Sequence, residues 1–186
     1  MKYKYIPWTD LHNDTHDLSL KIAGKCKLDL LVAIARGGLT IAHIISDSLE
    51  LPIATFTISS YYDQKQISTP KITLHLGNKL HNKNVLLIDN ISDSGKTFFY
   101  GIEYLKKRGV KKIITAAPYI KPWTKYVPDY YIKSFTEWII FPFDIKENVQ
   151  LITKNLTKEG LKQDEIIKEL KRIEIPEAFI NHDLKP

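Results

Sequence analysis

The sequence predicts an α/β fold, a parallel sheet flanked by helices. Three observations predict it. Short β-branched runs alternate with helical stretches along most of the 186 residues. One run, 84–89, passes through acidic residues into a tight Ser-Gly turn and then a helix. The length is that of about one domain, and 44% hydrophobic against 26% charged residues supplies a buried core.

Each element follows from its own pattern. Residues 28–35 (LDLLVAIA) read as a buried strand that ends at Gly37-Gly38. Leu39, Ala42, Ile45 and Leu49 then recur at helical spacing. Residues 52–58 (PIATFTI) read as the next strand. The polar stretch 59–77 predicts a long mobile loop with a β-ribbon at its far end. Residues 84–89 (NVLLID) are the clearest strand, and 97–108 a helix capped by Gly109. Residues 112–117 (KIITAA) form a further strand, stopped by Pro118. From 119 to about 144 the chain is rich in aromatics and proline, which predicts a small hood over the sheet. The remaining 145–186 form a C-terminal extension, with one amphipathic helix expected at about 158–172.

Composition narrows the function. No apolar run approaches ~18 residues, so no membrane span is expected. The first residues, MKYKYIPWTDLHND, carry no signal-peptide pattern. The single cysteine, Cys26, excludes a disulfide framework and a Cys-based zinc site. A reducing, cytoplasmic address is expected. The net charge of +6 favours an anionic partner without choosing between nucleic acid and a phosphorylated small molecule.

The chemistry concentrates in residues 85–97 (VLLIDNISDSGKT). In an open parallel sheet, ligands bind outside the carboxyl ends of the strands. A helix N-terminus placed there offers free amides and a positive dipole end, suited to phosphate. Ser94, Thr97 and the amides around Gly95 are expected to line that cradle. Gly95-Lys96-Thr97 also invites a nucleoside-triphosphatase reading, which fails. Asn90 stands where that loop needs its first glycine, and Asp93 would repel the phosphates.

A strand, an acidic end and Asp-Ser-Gly-x-Thr resemble the phosphoribosyl pyrophosphate (PRPP) loop of type I phosphoribosyltransferases. Further blocks extend the resemblance from about Tyr5 to Asp144. Ala35-Arg36-Gly37-Gly38 looks like the family's pyrophosphate turn, and Ser59-Ser60-Tyr61 like the start of its flexible catalytic loop. Lys121-Pro122-Trp123, residues 127–131 (VPDYY) and 137–144 (EWIIFPFD) are similar to the base-binding hood of the 6-oxopurine branch, the xanthine-guanine and hypoxanthine-guanine enzymes. Residues 1–144 are thereby expected to form the phosphoribosyltransferase domain.

The resemblance implies purine salvage. A 6-oxopurine (xanthine, guanine or hypoxanthine) and PRPP would give the nucleoside 5′-monophosphate and pyrophosphate, with magnesium. Asp89 would hold the ribose hydroxyls, and Asp93 would act at purine N7 as general acid/base. Arg36, Gly37 and Gly38 would bind pyrophosphate; Asn90, Ser92, Ser94, Gly95, Lys96 and Thr97 would complete the PRPP site. The loop at Ser60 and Tyr61 would close to exclude water, with Lys71 as a further pyrophosphate contact. Lys121 would donate to O6, Trp138 would stack on the ring, and Ile139 and Asp144 would complete the base site. Asn90, where many relatives carry a second carboxylate, and Asp144 would be minor magnesium contacts. A homodimer or homotetramer is implied, with neither membrane nor nucleic acid as partner.

Taken alone, the same residues also suit structural roles. Asp89 and Asp93 could cap the following helix, Arg36 could form a surface ion pair, Lys121 could be a turn residue, and Trp138 could be core. A regulator that senses PRPP or nucleotides on the same fold is the alternative function. His12 and His16 lack the glutamate of a zinc protease and read as a surface helix start. The basic run at Lys106, Lys107 and Arg108 reads as a helix end complementing its dipole.

Overall fold

The computed structural model describes residues 2–62, 65–77 and 80–183. In chain order the elements begin with β1 (Tyr3–Tyr5), α1 (Trp8–Ile22), β2 (Leu30–Ala35), α2 (Gly37–Leu49), β3 (Ile53–Tyr62) and β4 (Lys65–Leu74). Next come β5 (Asn84–Ile88), β6 (Ile91–Ser92), α3 (Lys96–Lys106), β7 (Lys112–Ala116), β8 (Tyr119–Ile120) and β9 (Lys133–Ser134). The last are β10 (Trp138–Ile140), α4 (Ile145–Lys158), α5 (Gln163–Arg172) and α6 (Glu177–Asp183). Two compact units result, one of residues 12–136 and one of residues 1–11 with 137–186.

In the first unit a five-stranded sheet runs β4-β3-β2-β5-β7. β3, β2, β5 and β7 are parallel; only β4 is antiparallel to its neighbour. Leu31, Val32, Ala33 and Ile34 of β2 are all buried, as are Val85 to Ile88 of β5. Such strands read as continuous apolar runs because both sheet faces are covered. α2 buries Ile41, Ala42 and Ile45, and α3 buries Phe98, Gly101 and Leu105 at intervals of three and four residues. Val32, Ile34, Phe56, Leu87, Phe98 and Leu105 join in one core. The exposed His12 and His16 lie within α1. Among the described residues, no helix is long and apolar enough to cross a membrane.

The stretch expected as a long mobile loop with a β-ribbon at its far end is strand through 59–62 and 65–74, where β3 and β4 pair antiparallel from Thr57↔Leu74 to Tyr62↔Lys65. Thr, Ile and Tyr suit a pleated edge despite the polar composition that suggested a loop.

In the second unit β1 pairs parallel with β10, Tyr3 opposite Trp138 and Tyr5 opposite Ile140. Ile145, Val149 and Ile152 of α4, Ile166 and Leu170 of α5, and Ile180 of α6 pack with Tyr5 and Ile140 into a separate core. At 10 residues α5 is shorter than the ~12–15 residues an isolated helix needs in water. Each core side chain contributes about 1.5–3 kcal/mol, so packing rather than propensity holds it. The helix expected at about 158–172 is found as α5, which begins later, at Gln163, and α4 and α6 are further helices of the same extension. α4 ends at Lys158, Gly160 takes a left-handed φ of 89°, and the Lys162 N–H donates to Glu165 Oε2 at 2.8 Å where α5 begins.

Candidate active site

Because β2 and β5 are parallel neighbours, their carboxyl ends open side by side. β2 also pairs with β3 on its other edge, so the chain's winding direction reverses between β2 and β5. Such a switch point is where open α/β sheets bind ligands. β2 delivers Arg36, Gly37 and Gly38 there, and β5 delivers Asp89 and Asn90. The two loops touch. A β-carbon on Gly37 would meet Asn90 Oδ1, with Asn90 Cγ at 2.6 Å. One on Gly38 would meet the Ile88 carbonyl oxygen, with Asp89 Cα at 3.3 Å. Only glycine permits this approach. The Ala35–Arg36 peptide is cis, and the Arg36 side chain is exposed.

Asp89 is 7% exposed, and its Oδ1 accepts the Asn90 N–H at 2.9 Å. Burial pushes its carboxyl up to about 7, and the backbone hydrogen bond opposes part of that rise. A buried carboxylate of this kind is suited to ligand hydroxyls or a cation that offset its desolvation.

The next loop is zipped to residues 121–126. β6 pairs with β8, Ser92 opposite Ile120, and the Lys121 N–H donates to the Ser92 carbonyl at 3.0 Å. Thr124 N–H donates to the Lys121 carbonyl at 3.0 Å, closing a turn with Pro122 at its second position. Ser92 Oγ lies 2.9 Å from Thr124 Oγ1 and donates to the Tyr126 carbonyl at 2.7 Å. The Ser92 hydroxyl, expected at phosphate, is buried and ties the two segments together. Trp123 Nε1 donates to Asp93 Oδ1 at 3.0 Å, and Lys121 Nζ lies 5.5 Å from the Trp123 ring centroid. Lys121 is itself 3% exposed.

Gly95 takes a φ of 81°, and a β-carbon on it would lie 2.5 Å from Tyr126 N. This left-handed turn starts α3, whose first amides, at Lys96 and Thr97, lack intrahelical acceptors. Ser94 Oγ stands 3.5 Å from the Lys96 amide; the Lys96 side chain is exposed.

Trp138, Ile139 and Asp144 belong to the other compact unit. Trp138 Nε1 donates to Asn148 Oδ1 at 2.8 Å, and Asn148 Nδ2 donates to the Asp144 carbonyl and Oδ1 at 3.0 and 2.9 Å. Asp144 Oδ1 also accepts the Phe141 N–H at 2.9 Å, so this oxygen, expected at base and metal, fixes the turn into α4. Ile139 is buried in β10. Lys71 lies exposed on β4 opposite Ser59; the side chains of Ser60 and Tyr61 fall outside the described residues.

Sequence reading missed the bonds made by Trp123 and Asn148. Asn148 carried a signal, a polar residue on the apolar stripe Ile145, Val149, Ile152. Trp123 carried only its place in Lys-Pro-Trp.

Glycine-rich and acidic loops at the switch point of an open parallel sheet are those of a phosphate-binding α/β protein. The "Phosphoribosyl transferase domain" family model matches residues 7–150, and the chain belongs to that family. It is 31% identical over 142 residues to a xanthine-guanine phosphoribosyltransferase from Nitratidesulfovibrio vulgaris, covering 75% of this chain and 83% of that one. A purine phosphoribosyltransferase from Pyrococcus horikoshii superposes with a TM-score of 0.69 at 35% identity, over 77% of this chain and 95% of that chain. The xanthine-guanine-hypoxanthine phosphoribosyltransferase of Helicobacter pylori gives 0.68 at 26% identity, over 84% and 99%.

Proposed function

We infer that the protein is a purine-salvage phosphoribosyltransferase. It joins a 6-oxopurine base to PRPP, forming the N9–C1′ bond of the 5′-monophosphate and breaking the C1′–O bond to pyrophosphate. The observation that carries this is the contact of the Arg36–Gly38 turn with Asp89–Asn90 at the β2/β5 switch point, in a chain of this family. The curated relatives are named as enzymes, which favours the transferase over the sensing regulator.

Cationic character grows on the ribose as the C1′–O bond breaks. Asp89, in its ionised form, accepts the ribose hydroxyls and places negative charge near that cation. Arg36 and the amides of Gly37 and Gly38 stabilise the charge developing on pyrophosphate. Ser94, Gly95, Lys96 and Thr97 hold the 5′-phosphate at the start of α3. Asp93 takes the proton from N7 as N9 attacks. Lys121 donates to O6.

Magnesium, when bound, neutralises pyrophosphate charge. Asn90 Oδ1, pressed against Gly37, is a hard oxygen suited to it. Among the described residues no group of three or more His, Cys, Asp or Glu could hold a metal ion, so Asn90 would be a minor contact beside the oxygens of PRPP itself. We place the enzyme in the cytoplasm as a homodimer or homotetramer. Leu39 of α2 and Phe99 of α3 are exposed apolar side chains available for self-association.

The test is incubation with PRPP, magnesium and each of xanthine, guanine, hypoxanthine and adenine, reading monophosphate and pyrophosphate. Nucleotide from at least one 6-oxopurine is expected. PRPP binding without nucleotide from any base would overturn the reading in favour of a sensor.

A further inference from the structure

Trp123 stands between two groups assigned to one edge of the purine. Its indole N–H donates to Asp93 Oδ1 at 3.0 Å, and its face lies 5.5 Å from the Lys121 ammonium, within cation–π reach. N7 and O6 are neighbours on a 6-oxopurine, so a residue that touches both of their partners controls how that edge is read. Burial does not explain the placement, because Trp123 is 55% exposed. The backbone does: the Lys121–Thr124 turn is closed by its own hydrogen bond and tied to Ser92, which immediately precedes Asp93.

We propose that Trp123 is a positioning residue for base recognition and proton transfer. Its N–H holds Asp93 Oδ1, which turns Oδ2 toward N7, and its face steadies the Lys121 ammonium toward O6. The proposal rests on the roles given above to Asp93 and Lys121. Indole nitrogen is a donor only, so the bond requires an acceptor carboxylate oxygen and fixes the carboxylate's rotation. A bond to a charged group is stronger than a neutral one. A carboxylate with one oxygen held presents the other in a single direction, which proton transfer to a bound base requires.

The test is a double-mutant cycle in the full-length protein, with guanine and PRPP. Trp123→Phe keeps the ring and loses the N–H. It is expected to lower kcat by about 10–100-fold, the scale of one charge-assisted hydrogen bond, with KM for PRPP within about twofold. In the Asp93→Asn background the same change is expected to cost less than about twofold, because the residue acts through that carboxylate. A wild-type kcat in Trp123→Phe, or an undiminished cost beside Asp93→Asn, overturns the proposal. If Asp93→Asn alone leaves kcat unchanged, the role of Asp93 falls first, and the proposal with it. A second measurement does not depend on turnover. The chain has three tryptophans, so the Trp123 indole N–H resonance is identified by its absence in Trp123→Phe or, should that variant not fold, by its separation from Trp8→Phe and Trp138→Phe spectra. It is expected to move in Asp93→Asn and to stay protected from exchange with guanosine monophosphate bound. An unmoved resonance, or one exposed by the nucleotide, overturns the proposal.

Discussion

The side-chain amide of Asn90 fills the space that a β-carbon on Gly37 would need, its Cγ 2.6 Å from that position. One residue on, the Ile88 carbonyl oxygen does the same for Gly38. The β2 and β5 loops are thus held at backbone distance, and the groups assigned to pyrophosphate and to ribose cannot be moved independently.

The two glycines differ in what opposes them, and substitution separates them. Gly37→Ala is met by a side chain, which can rotate; the fold survives, and the cost falls on PRPP affinity through the displaced Asn90. Gly38→Ala is met by backbone, which cannot yield without shifting β5, and it destabilises by about 1–3 kcal/mol. Urea unfolding and PRPP titration of both variants check the order. Equal stability loss would show that Asn90 is as rigid as the strand.

Asp89 gives a pH dependence of defined sign. Its folded-state value of about 7 lies above the ordinary 3.8. Between these values the folded chain holds a proton that the unfolded chain has lost, so this group's contribution to stability is full below about pH 4 and falls as pH rises to about 7. Asp89→Asn removes that slope and leaves the ligand-free protein more stable than wild type at about pH 8, while PRPP binding is lost. Denaturant titrations of both proteins at about pH 5 and pH 8 measure the difference.

The same group predicts the kinetics. Protonated Asp89 is a poorer acceptor for ribose hydroxyls, so kcat/KM for PRPP falls about tenfold per unit below about pH 7. A pH profile flat from about 5 to 8 would remove Asp89 from substrate binding.

Lys121 predicts the choice of base. Its ammonium can donate to O6 but cannot accept from a 6-amino group, and a site whose buried donor is left unpaired rejects the wrong ligand strongly. Adenine is expected to be a poor substrate. Lys121→Ala should lower kcat/KM for guanine far more than PRPP affinity. Comparable efficiency with adenine and guanine in the native protein would end the O6 role.

Asn90 predicts the magnesium requirement. An amide oxygen can coordinate the ion but brings no charge to offset it. Asn90→Asp is close in shape, so the Gly37 contact persists, and the midpoint for free magnesium should fall severalfold at fixed PRPP. An unmoved midpoint would take residue 90 out of the metal's surroundings.

The sequence by itself determined the strands and helices that carry the site and the residues at their ends. Residues 28–35 and 84–89 could be read because strands buried on both faces must be apolar throughout. The positions of Gly37-Gly38 and Asp89 could be read because an apolar run that stops at glycines or a carboxylate marks the end of a buried strand. Local patterns carried only the far end of the ribbon, because the polar composition after Ser59 read as a loop, and they did not carry α4 or α6, which hold their places through packing in the C-terminal extension. The tertiary structure alone decided that Ser92 ties its loop to Thr124 and Tyr126, that Trp123 reaches Asp93, and that Asn148 holds Trp138. It also decided that β1 pairs with β10 across more than a hundred residues of chain. These relationships depend on which segments meet, and a hydrogen bond between residues far apart leaves no period or spacing in the chain to announce it.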